Sequence, residues 1–215
     1  MAASAATASR AAPKRSHERS HQRIHRAALR LFARYGYEAV SLQRIADEVG
    51  LHKSTLFHHY GSKLELVDEV LDAVVERVLV DVAPLEAEQR PDLATLYSVV
   101  DALVDRFSDE PDAARLLVSV MSSPDDSELR TAGSAERSMR FYGAVASWLD
   151  RARRAGVIRR LSIRQAIPNL CGLVLFYPAV ASDLAVLVGP EPFGGRAREV
   201  RKKELRHVLR GMLEA

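Results

Sequence analysis

Apolar residues recur at three- and four-residue spacings along most of this chain, and glycine and proline fall between the periodic stretches. Such spacing gives each stretch one apolar face when it coils at 3.6 residues per turn, so the chain is predicted to be all-α, with about nine helices. With 47% hydrophobic and 27% charged residues in 215, disorder throughout is excluded and one or two buried cores are expected. The apolar residues are mostly Ala, Val and Leu and only 6% of the chain is aromatic, which argues against an all-β fold.

Charge is spread unevenly. Residues 1–63 carry eleven Lys or Arg against four Asp or Glu, and six of the seven histidines. Residues 64–215 carry twenty against twenty-four. A basic segment beside a mildly acidic body suits a first part that meets a polyanion and a second part with another task, although a solvated basic tail has the same composition. The single cysteine, Cys171, forms no intramolecular disulfide, and the first fifteen residues lack the apolar run of a secretory signal, so a cytoplasmic location is expected. Gln165 to Ser182 is an eighteen-residue stretch without a charge. Gln165, Pro168, Asn169 and Pro178 interrupt it, which suits a helix buried between helices better than a membrane span.

Within the basic segment, Ile24, Ala27, Ala28, Leu31 and Phe32 form one stripe of a helix that Gly36 can end. Ser41 offers an N-cap to a short helix with Leu42, Ile45, Ala46 and Val49 facing inward, and Gly50 stops it. A third helix follows at once, Lys53 to His59, with Leu56 and Tyr60 available for packing. Two short helices joined by a glycine-containing turn form a helix-turn-helix, whose second member can enter the DNA major groove. Gln43, Arg44, Lys53, Ser54, Thr55, His58 and His59 supply the cations and short hydrogen-bonding groups that such a surface needs.

The stretch Ala27 to Leu71 closely resembles the DNA-binding domain of the TetR family of bacterial transcriptional regulators. Matching features lie in register at Leu31-Phe32, Gly36-Tyr37, Ile45-Ala46, Gly50-Leu51, Thr55-Leu56-Phe57, Tyr60 and Ser62-Lys63. The resemblance implies an all-α homodimer, with a helix-turn-helix domain at 16–63 after a disordered basic arm at 1–15, and a ligand-binding and dimerisation bundle at 64–215. It also implies that Lys53, Ser54, Thr55, Phe57, His58 and His59 face the groove or backbone, that Gln43 and Arg44 assist from the preceding helix, and that Tyr60 and Lys63 anchor phosphates. Read as plain residues, Phe57 and Tyr60 are equally core aromatics. His52 departs from the serine common at its position and is a weaker cap. Arg10, Lys14 and Arg15 of the arm suit backbone or minor-groove contacts.

Beyond Lys63 the boundaries are local. Ser62 to Glu65 is a capping box opening a helix toward Pro84, in family terms the connecting helix through which a shift could move the head. Pro91-Asp92 opens a helix to about Ser108, Pro111 one to Met121, and Ser123 to Asp126 a long one ending at Arg151, Arg153, Arg154 and Gly156. Ser162 to Gln165 is a second capping box, opening an apolar helix bent by Pro168 and Pro178 and ended by Gly189-Pro190. The last helix, Arg196 to Leu213, has apolar positions Val200, Leu205, Val208, Leu209 and Met212. Helices at about 163–188 and 196–213 occupy the family's dimer interface, and a twofold partner would place two reading heads about 34–36 Å apart or a multiple of it.

A hydrophobic or aromatic effector would sit among Tyr97, Phe107, Met121, Phe141, Tyr142, Trp148, Cys171, Phe176 and Tyr177, each of which is also ordinary bundle filling. His17, His21 and His25 lie at i, i+4 and i+8, a spacing that can gather imidazoles round a metal. With no cysteine and few carboxylates beside them, solvated or phosphate-neighbouring roles are expected, with no metal and no cofactor. The chain shows no phosphate loop, nucleophile elbow or metal-ligand quartet, so an enzyme is not expected. The expected function is a ligand-responsive repressor binding a palindromic operator as a homodimer. The alternative is a dimeric small-molecule binder without operator recognition.

Overall fold

The computed structural model describes residues 11–124, 127–129 and 132–214. Among them are ten α-helices and no strand. The chain forms two compact units that meet in sequence at Val70 and Leu71. No helix of the described residues is long and apolar enough to cross a membrane.

The first unit holds α1 (Ala11–Tyr35), α2 (Leu42–Val49), α3 (Lys53–Tyr60) and the opening turns of α4 (Lys63–Ala87). Most of the arm expected at 1–15 lies outside the described residues, while Ala11 to Arg15 are part of α1. Ile24, Ala28, Phe32, Ile45, Ala46, Leu56 and Leu66 are fully buried, so the stripes read from the spacing converge on one core. Local chemistry fixes the turns. Gly36 and Gly50 take φ of 78° and 67°, a left-handed backbone that side-chain-bearing residues rarely adopt. The Leu51 N–H donates to the Ala46 carbonyl at 2.9 Å, closing the end of α2. The Arg23 guanidinium donates to Val49 O at 2.7 Å, a cation on the negative end of that helix.

The second unit holds the rest of α4 with α5 (Leu93–Asp109), α6 (Pro111–Met121), α7 (Ala132–Arg154), α8 (Ile163–Val180), α9 (Ala185–Val188) and α10 (Gly195–Leu213). Asp92 caps α5 through the Ala94 N–H at 3.1 Å, and Gly156 ends the segment after α7 with φ of 72°. Glu88, just beyond α4, accepts from the Trp148 indole at 3.0 Å, the Thr95 hydroxyl at 2.7 Å and the Asp92 amide at 3.2 Å. Burial pushes its carboxyl up, but these donors and Arg151 outweigh that and hold it below the usual carboxylate range.

Three boundaries and one cap differ from the sequence reading. α4 runs through Pro84 to Ala87, because the carbonyl that loses its partner belongs to exposed Val80 and can turn to solvent. α7 begins at Ala132 rather than at Ser123. The Ser123 hydroxyl donates back to Ser119 O at 2.8 Å and so closes α6, and Pro124 O accepts from Ser127 N in a turn at 3.0 Å. Ser162 stands at the N-cap of α8 without a side-chain bond, and the backbone O of Ser162 accepts from Gln165 N instead. α8 runs through Pro168 and Pro178 but stops at Val180, and the separate four-residue α9 raises the count to ten. Ser182 and Asp183, poor helix formers, fall in that break.

Candidate nucleic-acid interface and ligand cavity

In the first unit α3 is two-sided. Leu56 and Tyr60 are buried, whereas Lys53, Ser54, Thr55, Phe57 and His58 are exposed and His59 is half-buried. Phe57, at 54% exposure, stands on the outer side with the polar residues, so its place as a core aromatic does not hold. An exposed phenyl ring among hydroxyls and cations suits apolar contact with a thymine methyl or a sugar. Lys53 has no hydrogen bond or ion pair among the described residues.

α2 adds Gln43 and Arg44 to that side. The Gln43 amide donates to Asp47 Oδ1 at 2.6 Å, and the Arg44 guanidinium lies 3.8 Å from the centre of the Tyr35 ring. Stacking of this kind holds the cation in place without neutralising it. Ser41 caps α2 through the Arg44 N–H at 3.2 Å. At the start of α3, His52 makes no side-chain cap bond, as its weaker capping chemistry predicts.

The two expected phosphate anchors are both engaged in the packing of the first unit. Tyr60 is 1% exposed and its hydroxyl is buried with no hydrogen-bond partner, so in this arrangement it stands as a core residue. Burial, then the charge of Glu69, pushes its phenol above the usual range. The Lys63 ammonium donates to Tyr37 O at 3.1 Å and sits 3.9 Å from the Tyr37 ring centre, so it ties α4 to the turn after α1. A phosphate would have to share it.

The second unit holds a partly open cavity of about 130 Å³. Of the expected effector residues, Phe107, Met121, Phe141, Tyr142 and Cys171 line it. Tyr97, Trp148, Phe176 and Tyr177 are not among the lining residues. The Tyr97 hydroxyl is directed to Glu214 Oε1 at 3.2 Å, Trp148 is bonded to Glu88, Phe176 points outward and the Tyr177 hydroxyl donates to Pro192 O at 3.2 Å. The sequence reading missed the aliphatic wall, which includes Val75, Val78 and Val82 of α4 and Val99, Val100 and Leu103 of α5. Their helical spacing was visible, but spacing says only that a face is buried, not that it borders a void.

Arg137 is the one charged side chain among the residues lining the cavity, and it pairs with Asp72 at 2.6 Å. Burial pushes the Cys171 thiol up to about 11, so it is neutral and poorly nucleophilic at ordinary pH.

A paired α2 and α3 with a glycine turn between them and a polar outer side define a helix-turn-helix protein. Residues 24–70 match the family described as "Bacterial regulatory proteins, tetR family". The transcriptional activator FasR of Mycolicibacterium smegmatis is 31% identical over 91 residues, 42% of this chain and 42% of that protein. The transcriptional repressor SCO4008 of Streptomyces coelicolor is 27% identical over 184 residues, 85% of this chain and 91% of its own. A solved structure of AibR in complex with isovaleryl coenzyme A and operator DNA superposes with a TM-score of 0.70 at 17% identity, covering 88% of this chain and 97% of that one, a likeness of fold. The match to the first curated relatives spans about two fifths of their length. The first unit thus carries a DNA-binding domain of the TetR type, and the likeness over the rest of the chain is one of fold.

Proposed function

We propose that the protein is a DNA-binding transcriptional regulator, a repressor that holds a palindromic operator as a homodimer and releases it when a small hydrophobic or aromatic molecule enters the C-terminal unit. The observation that carries this reading is the two-sidedness of α3, with Leu56 and Tyr60 inward and Lys53, Ser54, Thr55, Phe57 and His58 outward. A helix about 10–12 Å across fits a major groove about 12 Å wide. Lys53, His58 and His59 would then read bases, while Gln43 and Arg44 fix position on the backbone.

Dimerisation through α8 and α10 is supported by large apolar side chains left at the surface: Phe176 on α8, Val200 and Val208 on α10, and Leu184, Val186 and Leu187 at the short α9 between them. The cavity, walled almost wholly by aliphatic and aromatic carbon, supports an apolar effector body, and Arg137 at its edge suits a polar or anionic end. α4, which supplies one wall of the cavity and also runs back to Lys63, is the covalent route by which occupancy would reach the head.

Selection of bound fragments from genomic DNA, followed by gel shift across salt concentrations, tests the reading. Binding to a palindromic site, with affinity falling steeply as salt rises, is expected. Failure to retain any DNA at low salt would defeat it, and a monomer in sedimentation at micromolar concentration would defeat the dimer.

A further inference from the structure

Beside the reading surface, and not used by it, lies a cluster of histidines. His21 and His25 stand one turn apart on α1, with ring centres 4.8 Å apart. Both aim Nε2 at one carboxylate oxygen of Glu69 on α4, at 3.8 Å and 3.5 Å. One ligand atom from each of the three residues falls within a span of 4.8 Å. Four donors at about 2.0–2.2 Å from a tetrahedral ion lie about 3.3–3.6 Å from each other, so two of these separations are nearly those of a loaded site and the third needs a small closure. Two imidazoles at i and i+4 of a helix, completed by a carboxylate from a second helix, are a donor set that suits zinc, cobalt or nickel rather than calcium or magnesium.

A second observation points to the same place. The Tyr60 ring lies 5.2 Å from His21 and 6.0 Å from His25, centre to centre, and its buried hydroxyl has no hydrogen-bond partner. A buried polar group without a partner is costly, and a water in the open fourth position of an ion would give it one. His59, on α3, stands 6.5 Å from His21 in an edge-on arrangement, so the recognition helix borders the cluster. The side chain of His17, one turn earlier on α1, lies outside the described residues.

We propose that His21, His25 and Glu69 form a binding site for a divalent transition metal of the zinc class, which would fasten α1 to α4 beside the recognition helix. The sequence expectation of no metal rested on the shortage of carboxylates near the histidines, and Glu69 supplies one from 44 positions further along than His25. Metal binding here does not depend on whether the protein binds DNA.

The test titrates the purified full-length protein with cobalt chloride and follows the visible absorption of tetrahedral cobalt, then displaces it with zinc chloride. One equivalent per chain is expected, with a rise in the unfolding midpoint that a chelator reverses. Glu69→Gln and His25→Gln should each weaken binding at least about 100-fold, while His207→Ala, far away in sequence on α10, should not. Glu69 is partly exposed, so Glu69→Gln should melt like the parent protein when no metal is present. Absence of the cobalt spectrum, or its survival undiminished in either ligand variant, would overturn the proposal.

Discussion

Lys53 on α3 has no partner among the described residues, whereas Lys202 on α10 lies 2.8 Å from Asp105 and 3.1 Å from Glu199. In the second unit Arg106 is bonded to Asp81, Arg206 to Asp101 and Arg77 to Glu110. In the first, Arg44 is stacked on Tyr35 but not neutralised, and Arg30 is paired with Glu48 away from α3. Ion pairs thus tie elements of the second unit to one another, whereas Lys53 and Arg44 stand without an acidic partner on the candidate reading side of the first. The cores differ in a parallel way. In the first, Leu56 and Phe32 are fully buried, and in the second Leu103 and its neighbours line a cavity.

Truncation should separate the two cores most strongly. Leu56→Ala removes contacts on all sides and is expected to cost ~2–5 kcal/mol in denaturant unfolding, while Leu103→Ala, which already borders the cavity, should fall at or below the bottom of that range. Equal costs would show that both cores are filled alike.

Cysteine chemistry comes next. At pH 8 the Cys171 thiol, held up to about 11 by burial, should react with a disulfide reagent about a hundredfold more slowly in the folded protein than in urea. The linked stability has a definite sign. A thiol raised in the folded state favours folding fully below its unfolded value of about 8.5, and that contribution fades as pH rises through 11. Fast labelling of the native protein would mean that the second unit opens readily.

Charge is the third comparison. Lys53→Ala should weaken operator binding by about 1–3 kcal/mol with no change in melting temperature. Lys202→Ala should leave DNA binding alone and lower stability slightly, as a partly exposed ion pair allows.

Smallest is the effect of the caps. Ser41→Ala removes an observed cap and should cost ~1 kcal/mol, whereas Ser162→Ala removes none and should lie within about 0.5 kcal/mol of zero by thermal melting.

The head was legible in the sequence because its signals are local. Gly36, Ser41 and Gly50 act on their own turns, and their chemistry is the same wherever the chain goes next. Farther on, the outcome depended on neighbours. Whether Pro84 ends a helix is decided by the exposure of Val80, and whether Ser123 opens one is decided by its bond back to Ser119. At the candidate interface the polar side of α3 was readable from its spacing, but the burial of Tyr60 and the attachment of Lys63 to Tyr37 depend on contacts between helices. Glu69 was missed for the same reason: distance along the chain hid its place beside His21 and His25. The cavity wall was hidden in another way, since a valine facing a void and one facing a leucine look alike in a sequence.

The bond between the indole of Trp148 and the carboxylate of Glu88 has a practical outcome. Since the chain has a single tryptophan, emission excited through that ring comes from one address in the C-terminal bundle and is silent about the head. Acidification that protonates Glu88 should alter its colour, and so should any occupant of the bundle that shifts α4 against α7. Fluorescence thus reports on the bundle and DNA retention on the head, with no dye attached to either.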